Sequence, residues 1–249
     1  MDFDFQALAV IFIGLAIGAF VKGLTGTGLP MVAVPFMAIY LGAEHAIVVL
    51  QLSNVVSNTW LIWAHRKKIG DTNPRADLFL PAAVMVISGV WFLNLVDDGT
   101  VILLLAGSLG AFLLLLWAKP NFRLTGRADK IVTPIASVVG GFIQGATGVS
   151  GAVFTPLIYS YRLNKESFVL YNGILYGLFN FFSVGTIWWL GMFTTTRLVE
   201  GLLALIPLVI FQYLGMKMTF KVSLKTFNIV VVTVLVAMES QLIWHILFG

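Results

Sequence analysis

Gly18-Ala19-Phe20-Val21-Lys22-Gly23-Leu24-Thr25-Gly26-Thr27-Gly28 returns 122 residues later as Gly140-Gly141-Phe142-Ile143-Gln144-Gly145-Ala146-Thr147-Gly148-Val149-Ser150, closed by Gly151. Five residues coincide without a gap: the pairs 18/140, 20/142, 23/145, 25/147 and 26/148. Glu44/Glu166 and Asn58/Asn180 keep the same offset, and Pro35/Pro156 follows one residue out of register. In both copies a glycine-threonine stretch interrupts an apolar run. A chain built as two copies, each with a broken helix, has the organisation of small membrane transporters.

The composition sets the solvent. Of the 249 residues, 59% are hydrophobic and 10% charged, with a mean hydropathy of +0.97. Soluble domains carry about 25% charge, so this chain cannot cover a water-facing surface and its solvent is lipid. Lipid satisfies no free backbone group, which makes helices the expected structure. The 24 glycines and long aliphatic runs suit packed membrane helices better than an alternating barrel pattern. The absence of cysteine removes disulfides, thiolate catalysis and cysteine-ligated clusters. Asp2 and Asp4 stand where a signal peptide would be basic, so the first helix is expected to be retained.

Ten apolar segments can be marked, at 5–22, 29–41, 45–64, 78–96, 100–117, 131–147, 151–161, 167–190, 198–215 and 227–247. The short ones, 29–41 and 151–161, each follow a break and read as half or re-entrant helices. The expected organisation is a first membrane repeat over 1–118, a basic linker over 119–130 and a second repeat over 131–249. A repeat with an odd number of crossings enters and leaves on opposite sides, so the second copy is expected upside down. Charge placement agrees. With the His65–Lys68 loop in the cytoplasm, thirteen of the fifteen cations fall inside, Arg197 falls outside and Lys22 is ambiguous. This positive-inside bias predicts a multi-pass plasma-membrane protein with both termini outside. Trp60, Trp63, Trp117, Trp188, Trp189 and Trp244 near segment ends read as an interfacial belt.

The breaks point to an anion. Glycine permits the backbone angles that stop a helix and lets a ligand approach closely. The helix that restarts beyond it has free N–H groups and a partial positive charge. The candidate binding residues are Lys22, Gly23, Thr25, Gly26, Thr27 and Gly28 in the first copy, and Gln144, Gly145, Thr147, Gly148, Ser150 and Gly151 in the second. If the two breaks meet, they form a cradle for a small oxyanion. The bland alternative is that these glycines serve close helix packing; duplication of the break favours the binding reading. Lys22 either contributes a paired charge or snorkels to the cytoplasmic face. Gln144 in its place gives the second half no formal charge.

The third segment of each half is polar. Asn54 and Asn58 share a face with Gln51, and Asn172, Tyr176 and Asn180 repeat the four-residue spacing. Such stripes either line a pathway or bond helices together; Asn54, Asn58, Asn172 and Asn180 join the candidates. Glu44 and Glu166 read as helix-start acids, and Glu239 as an alternative proton carrier. His45, His65 and His245 have no partner at metal spacing. No P-loop, dinucleotide fingerprint, catalytic triad or zinc motif is completed, so no metal, cofactor or enzymatic activity is expected.

The duplicated motif, Gly23-Leu24-Thr25-Gly26-Thr27-Gly28 with Pro30 and Pro35, echoed by Gly145–Gly151 with Pro156, resembles the TauE/SafE family of membrane proteins. The length, the apolar segments and the basic central linker resemble it too. The resemblance implies export of sulfite or an organosulfonate, or uptake of another small anion or carboxylate coupled to protons or sodium. The expected mechanism is secondary transport by alternating access between the repeats, with a channel-like anion pore as the alternative. The expected partners are a small anionic solute, the lipid bilayer and a second copy of the chain in a homo-oligomer, with no nucleic acid.

Overall fold

The computed structural model describes residues 4–118, 126–218 and 224–248. Its elements are α1 (Phe5–Thr25), α2 (Leu29–Leu41), α3 (Ala43–His65), a 3-10 turn (Arg66–Asp71), α4 (Ala76–Leu93), α5 (Asp98–Ala118), α6 (Gly126–Thr147), α7 (Gly151–Tyr159), α8 (Lys165–Trp189), α9 (Thr195–Leu203), α10 (Leu205–Met218) and α11 (Leu224–Phe248). The described residues contain no strand, and the protein is an all-α integral membrane protein. Among them, five stretches are long and apolar enough to cross a bilayer: Phe5–Thr25, Ala43–Gly70, Ala76–Leu93, Lys165–Trp189 and Thr195–Met218. Both half helices stand where the breaks predict them.

The packing follows the small residues. The most extensive helix pairs are α4 with α6 and α1 with α10, followed by α1 with α2 and α3 with α8. In the first pair, a Cβ on Gly145 would stand 2.8 Å from the Cα of Gly89. In the second, a Cβ on Gly23 would stand 2.9 Å from the Cα of Gly215. The parallel extends to Phe142 and Phe20, whose carbonyls lie against Gly89 and Gly215 respectively. Each first helix therefore packs its glycine against the helix in the fourth apolar segment of the other half, α10 or α4. The α3–α8 pair runs between them.

Charged groups gather at two ends of the bundle. At one, Arg197 Nη1 lies 2.7 Å from Glu44 Oε1 and His45 Nε2 lies 2.5 Å from Glu200 Oε2, tying α3 to α9. At the other, Arg75 bridges Asp77 at 2.7 Å and Asp129 at 2.5 Å, tying α4 to α6, while Lys68 stands 3.7 Å from Glu166. The Asp77 hydrogen bond, ahead of that from Asp129, holds the Arg75 guanidinium above its ordinary value.

Two boundaries differ from the sequence reading. Helix α6 begins at Gly126, five residues before the apolar segment 131–147, anchored where Thr133 and Arg75 both bond Asp129; residues 119–125 of the expected linker lie outside the described residues. The single segment 198–215 is two helices broken at Ala204. The cause is Pro207, whose ring displaces the carbonyl four residues back, at Leu203. Pro81 frees the Asp77 carbonyl of α4 in the same way, and there the Ser137 hydroxyl of α6, which donates chiefly to Thr133 O at 2.8 Å, lies 3.3 Å from it.

Candidate functional site

Both breaks are built by the same hydrogen bonds. Gly26 (φ 83°) and Gly148 (φ 70°) turn left-handed, and their N–H groups donate to Lys22 O at 2.7 Å and Gln144 O at 2.9 Å. A threonine hydroxyl brackets each turn. Thr25 Oγ1 lies 3.0 Å from Val21 O and accepts from Thr27 N at 3.0 Å. Thr147 Oγ1 lies 2.8 Å from Ile143 O and accepts from Val149 N at 3.1 Å. Thus the carbonyls at the ends of α1 and α6 are capped; in the helices that follow, Pro30 of α2 has no N–H and Val153 N–H of α7 donates to Ser150 O at 3.0 Å, so only part of each first turn keeps open donors.

The two breaks meet around one small cavity of about 20 Å³, room for a water molecule. Thr27, Gly28, Pro30 and Met31 line it from the first break, and Gly148, Val149, Ser150 and Gly151 from the second. Lys22 and Gln144 enter from the preceding helix ends, Asn54 and Asn58 from α3, and Tyr176 and Asn180 from α8. Lys22 is 3% exposed, and its Nζ donates to Asn58 Oδ1 at 2.5 Å. Lys22 thus points into the protein and does not snorkel. Across the cavity Gln144 Nε2 donates to Gly148 O at 3.2 Å, and Ser150 Oγ donates to Gln144 Oε1 at 2.5 Å. Asn180, equally buried, has no partner for Nδ2, and Asn54 has none for Oδ1. The Tyr176 hydroxyl faces those of Ser150, Thr27 and Thr155 without a hydrogen bond. Unpaired buried polar groups are costly; Gln51 Oε1, Ser53 Oγ and Asn172 Oδ1, away from the cavity, are unpaired as well.

Residues 10–242 match the family model described as Sulfite exporter TauE/SafE. The chain belongs to the TauE/SafE family. It is therefore of a membrane transporter class whose work involves a small solute and lipid. Searches of curated proteins and of solved structures gave no match.

In this TauE/SafE protein the sixteen sequence candidates divide. Lys22, Thr27, Gly28, Asn54, Asn58, Gln144, Gly148, Ser150, Gly151 and Asn180 line the cavity. Gly23 and Gly145 stand instead in the helix contacts with Gly215 and Gly89. Thr25 and Thr147 serve as brackets, and Gly26 sits against Val169. Asn172 Nδ2 turns back onto the Phe168 carbonyl at 2.8 Å. The cavity adds Pro30, Met31, Val149 and Tyr176 to the sequence reading. Tyr176 was visible in the four-residue stripe; Met31 and Val149 carry no polar signal and emerge only from the fold. Among the described residues, no group of three metal-ligating side chains occurs.

Chemically, the cavity offers one ammonium, amide and hydroxyl donors, and two helix starts, with no carboxylate among its lining residues. Such a set suits an oxygen-rich anion.

Proposed function

We propose that this TauE/SafE protein is a secondary active transporter, not an enzyme, that carries sulfite or an organosulfonate out of the cell. The cavity between the two breaks is its binding site. The observation that carries this reading is the convergence of both breaks on one cavity with buried Lys22 and the unpartnered amide of Asn180. The halves are read as inverted repeats, supported by the matched Gly23–Gly215 and Gly145–Gly89 contacts. They move against one another to open the cavity to each side in turn. The charge distribution supports plasma-membrane placement with the Arg66–Lys68 end in the cytoplasm and both termini outside. A membrane potential negative inside favours anion export by about 2.3 kcal/mol per charge per 100 mV. The lining has one charged side chain and no charged ring, which favours a transporter over a channel-like pore.

Flux of radiolabelled sulfite in proteoliposomes tests the proposal. Saturable counterflow is expected; absence of flux for sulfite and for small sulfonates and carboxylates refutes it.

A further inference from the structure

We propose that Lys22 makes this site selective for singly charged anions, a reading that rests on the transport site proposed above. The argument is a charge count at the cavity. Lys22 is the only charged side chain among its lining residues, and it is 3% exposed. Its equivalent in the second copy is the neutral Gln144, which is held by Ser150 and Gly148.

The helix ends do not alter that count. At each break one helix ends where another begins: α1 meets α2, and α6 meets α7. A partial negative end therefore adjoins a partial positive one, and their net charges offset. The N–H groups of α2 and α7 give direction to an anion's oxygens, whereas Lys22 supplies the formal charge. Asn58 Oδ1 accepts a hydrogen bond from Lys22 Nζ, leaving two of the three ammonium donors for a ligand.

A monoanion in this cavity forms a neutral pair with Lys22. A dianion leaves one negative charge buried and uncompensated, which is heavily penalised. Asn180 Nδ2, buried and without a partner, completes the donor set but adds no charge. The transported form of an acid such as sulfite is then the hydrogen sulfite ion.

The test matches shape and varies charge. Methanesulfonate and sulfate are both tetrahedral, but carry one and two negative charges. Each competes against radiolabelled sulfite counterflow in proteoliposomes of the full chain. Methanesulfonate is expected to compete roughly tenfold or more better than sulfate. A Gln144→Lys variant, with two positive groups at the cavity, is expected to narrow or reverse that ratio. Lys22→Gln is expected to abolish sulfite counterflow itself while the protein still elutes as a folded species. Saturable sulfite flux with sulfate competing as well as methanesulfonate overturns the charge selection and leaves the transporter reading standing. Wild-type counterflow in Lys22→Gln also overturns it. Absence of all anion flux overturns both. If Gln144→Lys does not fold, the wild-type ratio alone decides.

Discussion

Gly23 of α1 and Gly215 of α10 meet backbone against backbone, with no room for a Cβ on either. Replacing Gly215 with valine must force the helices apart, at a cost of roughly 1–3 kcal/mol or more. Gly89→Val on α4 is expected to cost a similar amount, because Gly89 faces Gly145 in the same manner. Gly107→Ala on α5, where nothing lies within 4 Å, is the control and is expected to be neutral or mildly stabilising. Unfolding midpoints in detergent check all three.

The two helix starts differ in what they tolerate. Gly28 has φ 96°, whereas its counterpart Ser150 has φ −126°. Gly28→Ser is expected to destabilise by about 1–2 kcal/mol through left-handed strain. Ser150→Gly involves no such strain, and its cost is that of leaving the buried Gln144 Oε1 without a donor, about 1–3 kcal/mol. In a Gln144→Leu background the Ser150→Gly loss should vanish while the Gly28→Ser loss persists, by the same unfolding assay; persistence of both would contradict this account.

Asn58 and Asn180 are sequence equivalents with different duties. Asn58→Ala removes the partner of a buried ammonium and is expected to cost about 1.5–3 kcal/mol of stability. Asn180→Ala deletes an unpartnered donor, so the ligand-free protein should be unaffected or slightly stabilised. Its stabilisation by sulfite should shrink instead. Thermal shifts with and without sulfite would show both signatures, and identical behaviour of the two variants would refute the distinction.

Acid sensitivity has a local source at the start of α5. The Thr100 hydroxyl and backbone N–H, donating at 2.8 Å and 3.0 Å, hold Asp97 below its ordinary value of 3.8. A depressed folded-state value means that the stabilisation is present above the ordinary range and lost as pH falls through the folded one. Asp97→Asn is expected to flatten this acid limb, with only a small effect because the group is exposed. Acid titration of unfolding in the two proteins checks it.

Orientation is testable because the chain has no native cysteine. Lys67→Cys should label only from the cytoplasm and Asp97→Cys only from outside, using an impermeant maleimide on intact cells. The reverse pattern would invert the proposed topology.

Much of this fold is legible in the sequence because lipid leaves few options. Long apolar runs must become helices, and the glycine-threonine breaks must interrupt them. The meeting of the breaks is legible through their duplication. The duties within each break are not, since Gly23 and Gly26 look alike until Gly215 and Val169 appear opposite them. Threonine hides its role similarly: Thr25 bonds local backbone, while Thr27 lines the cavity. The break at Ala204 was available from Pro207, but Pro35 and Pro156 lie inside continuous helices, so proline alone did not decide it. One signal was present and unread. Pro81 and Gly89 recur as Pro207 and Gly215, an offset of 126 rather than 122 residues, marking α4 and α10 as counterparts.

The exchange of helix contacts, α1 with α10 and α4 with α6, means that neither half supplies the partners of Gly23, Gly89, Gly145 or Gly215. A gene cut within 119–125 and expressed as two polypeptides should reassemble, since the principal contacts lie between the fragments. Either fragment alone should be degraded. Under the proposed inverted arrangement, the segment 119–125 would then act as a tether between two halves that already clasp one another.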